Sequence, residues 1–160
     1  MDSCQLSYAV AQDEIISRHF LGVFPADQVP NSNSVGSLIA NTDVSGSPGE
    51  HWVAMYKDSS GQEFFDSFGR RVFQNAFIVG PYRRNNTALQ SPNAACCGEY
   101  CLYYLYHRVR ELSLRDIIKQ LKQSDQHPDS IVTAFVAQHF DLSPRQSAMC
   151  CIPPSLWQST

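Results

Sequence analysis

The apolar and polar positions of this chain change period several times, and each change marks an element. From Ala9 to Phe20, Ile15, Ile16 and Phe20 fall at near-helical spacing behind Gln12, Asp13 and Glu14, which predicts a short amphipathic helix. VFPADQVPNSNS, with two prolines and small polar residues, predicts a surface loop leading into the apolar run SLIAN, a strand or a short buried helix. NTDVSGSPGE is turn-rich and ends immediately before His51. HWVAMYK and EFFDSF, separated by DSSG, predict an antiparallel hairpin of aromatic and β-branched residues. With its turn centred near 58–59, residue 51 falls opposite roughly position 66.

Between Val72 and Leu89 the pattern is irregular, with AFIVGPY a short strand candidate and RRNNTALQSPNAAC a long connection. CGEYCLYYLYHRVREL carries apolar or aromatic groups at 100, 101, 102, 104, 105 and 109, too many for a surface stripe, so this helix is expected to be largely buried. LRDIIKQLKQ predicts an amphipathic helix and DSIVTAFVAQHF another beginning near Asp129. The tail from Ser143, with three prolines, reads as poorly ordered. The expectation is an α+β domain over 1–142 with a tail at 143–160. A small mixed or antiparallel sheet would pack against a central helix that starts at Cys97.

A length of 160 residues suits one domain with a real core. Twelve basic against fifteen acidic side chains, a net charge of -3, argue against a molecule that binds nucleic acid by its overall field. Only Arg70, Arg71, Arg83 and Arg84 could form a local basic patch, and solvated turn charges are the favoured reading of them. No basic start followed by an apolar core opens the chain, and no run reaches the ~18 apolar residues of a membrane helix, so a soluble, unexported chain is expected. The six cysteines include two adjacent pairs, which fits reduced thiols better than a secreted disulfide framework.

One ordered set of residues carries chemistry: His51, Asp66 in EFFDSFG, Gln90 in ALQSPNAACCG, and Cys97 before Gly98. A thiol, an imidazole, a carboxylate and an amide are the parts of a cysteine hydrolase. Cys97 would attack a carbonyl, His51 would move the proton, Asp66 would orient the imidazole, and Gln90 would donate to the oxyanion. No cofactor is required. Cys97 at a helix N-terminus gains from the dipole and the unpaired amides, which favour the thiolate. Trp52, directly after the histidine, is a candidate wall of the cleft. The alternative from another class is a non-catalytic zinc domain on Cys96, Cys97, Cys101 and His107. On one helix, however, 97 and 101 share a face while 107 is offset, and no second paired ligand set has zinc-finger spacing.

GEHWVAMY, EFFDSFG and LQSPNAACCGEYCLYYL resemble the signature blocks of the adenovirus-type cysteine proteases (adenain), relatives of the SUMO-specific ubiquitin-like proteases. The resemblance covers about residues 18 to 110, including FLGVFPADQVP and SLIANT. It implies catalytic positions at His51, Asp66 and Cys97, with Gln90 and the backbone amide of Cys97 as the oxyanion hole. It also implies a polypeptide substrate cut after glycine, either a viral precursor or structural protein or a ubiquitin-like tail. A monomer in the host nucleus or cytoplasm, or in the virion, is the matching expectation. Two features depart from the adenoviral pattern: Asp66 stands where those enzymes usually carry Glu, and the cysteine is doubled. The adenoviral enzymes are also joined by a disulfide to an activating peptide, but no cysteine lies here between Cys4 and Cys96 to serve that attachment. An activating peptide or DNA is therefore only weakly implied. A virus, a Maverick- or adintovirus-like element and a domesticated host gene remain open as sources.

Overall fold

The computed structural model describes residues 1–31, 33–73 and 77–142. The predicted tail, with Cys150 and Cys151, lies outside the described residues.

The N-terminal helix begins earlier than its periodicity suggests and is broken in two. Helix α1 spans Ser3–Ala11, opened by a capping box in which the Asp2 carboxylate accepts from the Gln5 amide while the Gln5 side chain accepts from the Asp2 amide. Asp13 then captures the amides of Ile15 and Ile16 and starts a separate short helix, α2, at Glu14–Ser17. Phe20, expected to end a helix, instead begins strand β1 (Phe20–Phe24). Part of the expected loop is thus strand, followed by a 3-10 turn at Ala26–Gln28. The cause is tertiary: β1 pairs in parallel with β2 (Gly36–Asn41), and that ladder outweighs the local turn signals.

SLIAN resolves as strand, and β2 pairs antiparallel with β3 (Trp52–Asp58), which pairs antiparallel with β4 (Gly61–Phe65). AFIVGPY does not form a strand over its described residues. Phe77 and Ile78 are buried as loop anchors, and the pairing falls later, where β5 (Arg83–Arg84) adds in parallel to β4. The sheet is mixed, in the order β1-β2-β3-β4-β5.

Its two faces follow the period of two. Ile39, Ala54 and Phe65 face the helices, while Leu38, Ala40, Val53, Met55 and Phe64 face a second cluster with Val29, Phe77 and Ile78. Helix α3 (Cys97–Arg108) lies in the first cluster, with every residue from Tyr100 to Leu105 buried, as its apolar density predicts. Its Tyr104 ring stacks on Phe65 at 4.7 Å, fixing the helix to the sheet. Helices α4 (Leu114–Gln123) and α5 (Pro128–His139) cover the remaining apolar surface, close to their sequence-predicted limits.

Candidate active site

The hairpin brings His51 and Asp66 together, but not by direct opposition. The turn is Ser59-Ser60, closed by the Asp58↔Gly61 pair, so the ladder runs Ala54↔Phe65 and, continued, sets His51 opposite Phe68. The expected register was two residues out. The observed one gives His51 two neighbours on the returning chain: the Phe68 ring, stacked at 4.8 Å, and the Asp66 carboxylate, 2.7 Å from Nε2. Both members of the pair are almost fully buried.

Asp66 is held from several sides. Its Oδ1 also accepts from the Phe68 amide at 2.8 Å, and its Oδ2 accepts from Arg70 Nε at 3.0 Å. The buried Asn85 takes the backbone of Asp66 at both ends, accepting from its amide and donating to its carbonyl. Burial alone would raise this carboxyl, but the hydrogen bonds from His51 and Phe68 and the charges of His51 and Arg70 carry it below the ordinary value.

Cys97 is the first residue of α3. Burial pushes its thiol up, yet hydrogen bonding to the His51 side chain and to the amides of Trp52 and Gly98, with the His51 charge, brings it below the ordinary thiol value. For His51 burial opposes the charged ring, and the hydrogen bonds and charges of Asp66 and Cys97 outweigh it, raising the imidazole. With Nε2 occupied by Asp66, Nδ1 is the nitrogen left for the sulfur. These opposed shifts favour a thiolate–imidazolium pair.

The neighbouring thiols behave oppositely. Burial and the nearby Asp129 carboxylate push Cys96 up to about 12, and burial raises Cys101 well above its usual value. Cys4, Cys96, Cys97 and Cys101 are free thiols. The proposed zinc set is dispersed, because Cys97 turns to His51 while Cys101 is sealed in the core, and among the described residues no cluster of three His, Cys, Asp or Glu side chains could hold a metal ion.

Gln90 is buried, with its side-chain oxygen accepting from Ser67 Oγ at 2.6 Å and its Nε2 donating to the Ala94 carbonyl. The segment carrying it is tied to α5 and α3 through Asp129, which accepts from the Ser91 amide and from Tyr100 Oη, whose one hydrogen is shared with the Leu89 carbonyl. Trp52 is half-buried, and its indole donates to the Met1 carbonyl at 2.9 Å. Ser67, Phe68, Asn85 and Asp129 are supports that sequence reasoning missed. Ser67 and Phe68 lie inside a motif already singled out, whereas nothing local marks Asn85 or distinguishes Asp129 from an ordinary acid in a first helical turn.

The arginines form no free basic patch as a set. Arg70 pairs with Asp66, Arg83 with Glu63, and Arg84 donates to the carbonyls of Gly69 and Asn85; the Arg70 and Arg83 side chains stay half exposed, so they are partly solvated charges that also carry internal bonds.

No family model matches the chain. It is 28% identical over 122 residues to the protease of Bovine adenovirus 2, covering 61% of this chain and 58% of that protein. It is 30% identical over 113 residues to the protease of Bovine adenovirus C serotype 10, covering 58% and 55%. A crystallised ASFV protease aligns at 22% identity with a TM-score of 0.47, over 67% of this chain and 45% of that one. The chain spans somewhat more than half the length of the adenoviral relatives it matches. In sequence, then, this α+β chain is adenain-like, similar to adenovirus proteases over about three fifths of its length.

Proposed function

We propose that this chain is a viral-type cysteine endopeptidase acting through a thioester acyl-enzyme. The observation that supports it most is the buried relay in which Cys97 faces His51 and His51 is held by Asp66. In this reading the Cys97 thiolate attacks the scissile carbonyl, forming a C–S bond while the carbonyl π pair moves onto oxygen. Gln90 Nε2 and the Cys97 amide donate to that oxyanion. Collapse expels the amine, which takes its proton from the His51 imidazolium. Neutral His51 then deprotonates a water that attacks the thioester, releasing the acid and restoring the thiolate. Asp66 keeps the ring oriented throughout.

The substrate proposed is a viral precursor or structural polypeptide with glycine before the cut, met in the host nucleus or cytoplasm or in the virion. Trp52 supports the glycine requirement. It follows His51 directly, its amide reaches the Cys97 sulfur, and its indole is fixed by the Met1 carbonyl.

A peptide ending in Gly-X-Gly with an electrophile at its carboxyl end tests this reading. The adduct should map to Cys97 and disappear in Cys97→Ala. In the matching substrate peptides, Gly→Val before the cut should cost at least ~2 kcal/mol of transition-state binding through steric exclusion. An adduct on another cysteine would overturn the assignment. Strong preference for a ubiquitin-like carboxyl-terminal tail would turn the substrate into a protein modifier.

A further inference from the structure

Asp66, Ser67, Phe68 and Gly69 form one tight turn, closed by the Gly69 amide donating to the Asp66 carbonyl at 2.7 Å. Asp66 and Phe68 both serve His51. Ser67 points elsewhere. It is 1% exposed, its hydroxyl donates to Gln90 Oε1 at 2.6 Å, and its carbonyl accepts from the amides of Leu89 and Gln90 at 2.8 and 3.1 Å. From this geometry we infer that Ser67 is the positioning residue of the oxyanion donor, holding the Gln90 amide in the orientation that leaves one N–H for the substrate.

A carboxamide has an oxygen that only accepts and a nitrogen that only donates. Here the oxygen meets a hydroxyl donor and the nitrogen meets the Ala94 carbonyl. Rotating the amide by half a turn would face its oxygen toward a carbonyl oxygen, leaving a buried acceptor without a donor, which is costly. The Ala94 carbonyl, which can only accept, therefore sets the orientation, and the Ser67 hydroxyl, which could donate or accept, anchors the amide oxygen in it by donating. That orientation uses one of the two Nε2 hydrogens, and the second remains. The paired backbone bonds from Leu89 and Gln90 to the Ser67 carbonyl set the height of the donor relative to the turn. Gly69 permits that approach: its φ is +68°, and a Cβ there would lie 2.5 Å from the Thr87 carbonyl carbon. One four-residue turn thus carries the orientation of the base and that of the oxyanion donor, each through its own side chain.

This inference rests on the oxyanion role proposed for Gln90, and the experiment separates the two. Turnover of a Gly-X-Gly coumarin amide is measured for the parent, Ser67→Ala, Gln90→Ala and the double variant, together with the rate of Cys97 alkylation by iodoacetamide. Alkylation develops no oxyanion on a carbonyl at the reacting carbon, so it reports the thiolate and the integrity of its surroundings but not the donor. Ser67→Ala should lower kcat about tenfold or more with KM little changed and alkylation at the parental rate. In the Gln90→Ala background the same change should have little further effect, because the group it positions is gone. Additive losses, parental turnover in Ser67→Ala, or alkylation falling in step with turnover would each overturn the inference while leaving the Gln90 reading standing. Parental turnover in Gln90→Ala would overturn both. Should Ser67→Ala not fold, Ser67→Cys, close in volume and a far weaker donor, carries the same measurements.

Discussion

Cys96 and Cys97 are adjacent thiols with opposite chemistry, and the difference is one of direction. Cys97 turns toward His51 and the Trp52 and Gly98 amides, whereas Cys96 is buried beside the Asp129 carboxylate. Only the first environment stabilises a negative sulfur. Cys96→Ser should therefore keep most of the activity and Cys97→Ala should abolish it with an unchanged thermal midpoint, as a kinetic and melting comparison would show. The pH dependence follows from the same groups. A thiolate–imidazolium pair forms once pH passes the lowered Cys97 value and is lost once pH passes the raised His51 value, giving a bell. Removing the Asp66 charge takes away much of what raises His51. Asp66→Asn should accordingly move the alkaline limb of kcat/KM to lower pH, besides reducing its height. At this scale the meeting of His51, Asp66 and Cys97 was foreseeable from residue type and order, which suit a base, an acid and a nucleophile. Ser67 was not, since a serine in a turn is ordinary until its partner is known.

At the scale of elements, the hairpin and helix α3 were readable because each buries a face whose period is written in the chain. The hairpin register was harder. A two-residue turn closed by Asp58↔Gly61, with Gly61 at φ +133°, moves the centre of the ladder by one residue and each opposing position by two. The join between β4 and α3 is made by a charge that the pattern does not expose. Glu63, 2% exposed on an inward face of β4, accepts from Arg83 and Arg108 and from Tyr104 Oη at 2.7 Å. Arg108 is itself only 11% exposed at its side chain, so removing the carboxylate would leave its Nε without a partner and Asp58 as its one remaining carboxylate, at 3.2 Å. Glu63→Ala should cost about 3 kcal/mol in denaturant unfolding. Alkylation of Cys97 in the folded fraction should be unchanged, because this network lies away from the thiol's own hydrogen bonds.

Across the whole molecule, the placement of the arginines bears on activation. Arg70, Arg83 and Arg84 are committed to internal partners, and the net charge is -3, so little remains to gather a polyanion. Turnover in reducing buffer should change little when duplex DNA is added. A large stimulation that fades with salt, read in the same assay, would show that these internal pairs can be exchanged for phosphates. The sequence by itself determined the chemical parts, the α+β class, the central buried helix and the two helices after it, because these depend on residue type and on periods within single segments. Only the tertiary structure decided that Phe20–Phe24 is a strand, that Arg83 and Arg84 tie to Glu63 and Gly69, and that Ser67 holds Gln90. Each of these depends on a partner distant in sequence. A parallel ladder, an ion pair or a buried hydroxyl has no local period, and its free energy exists only once the two segments have met.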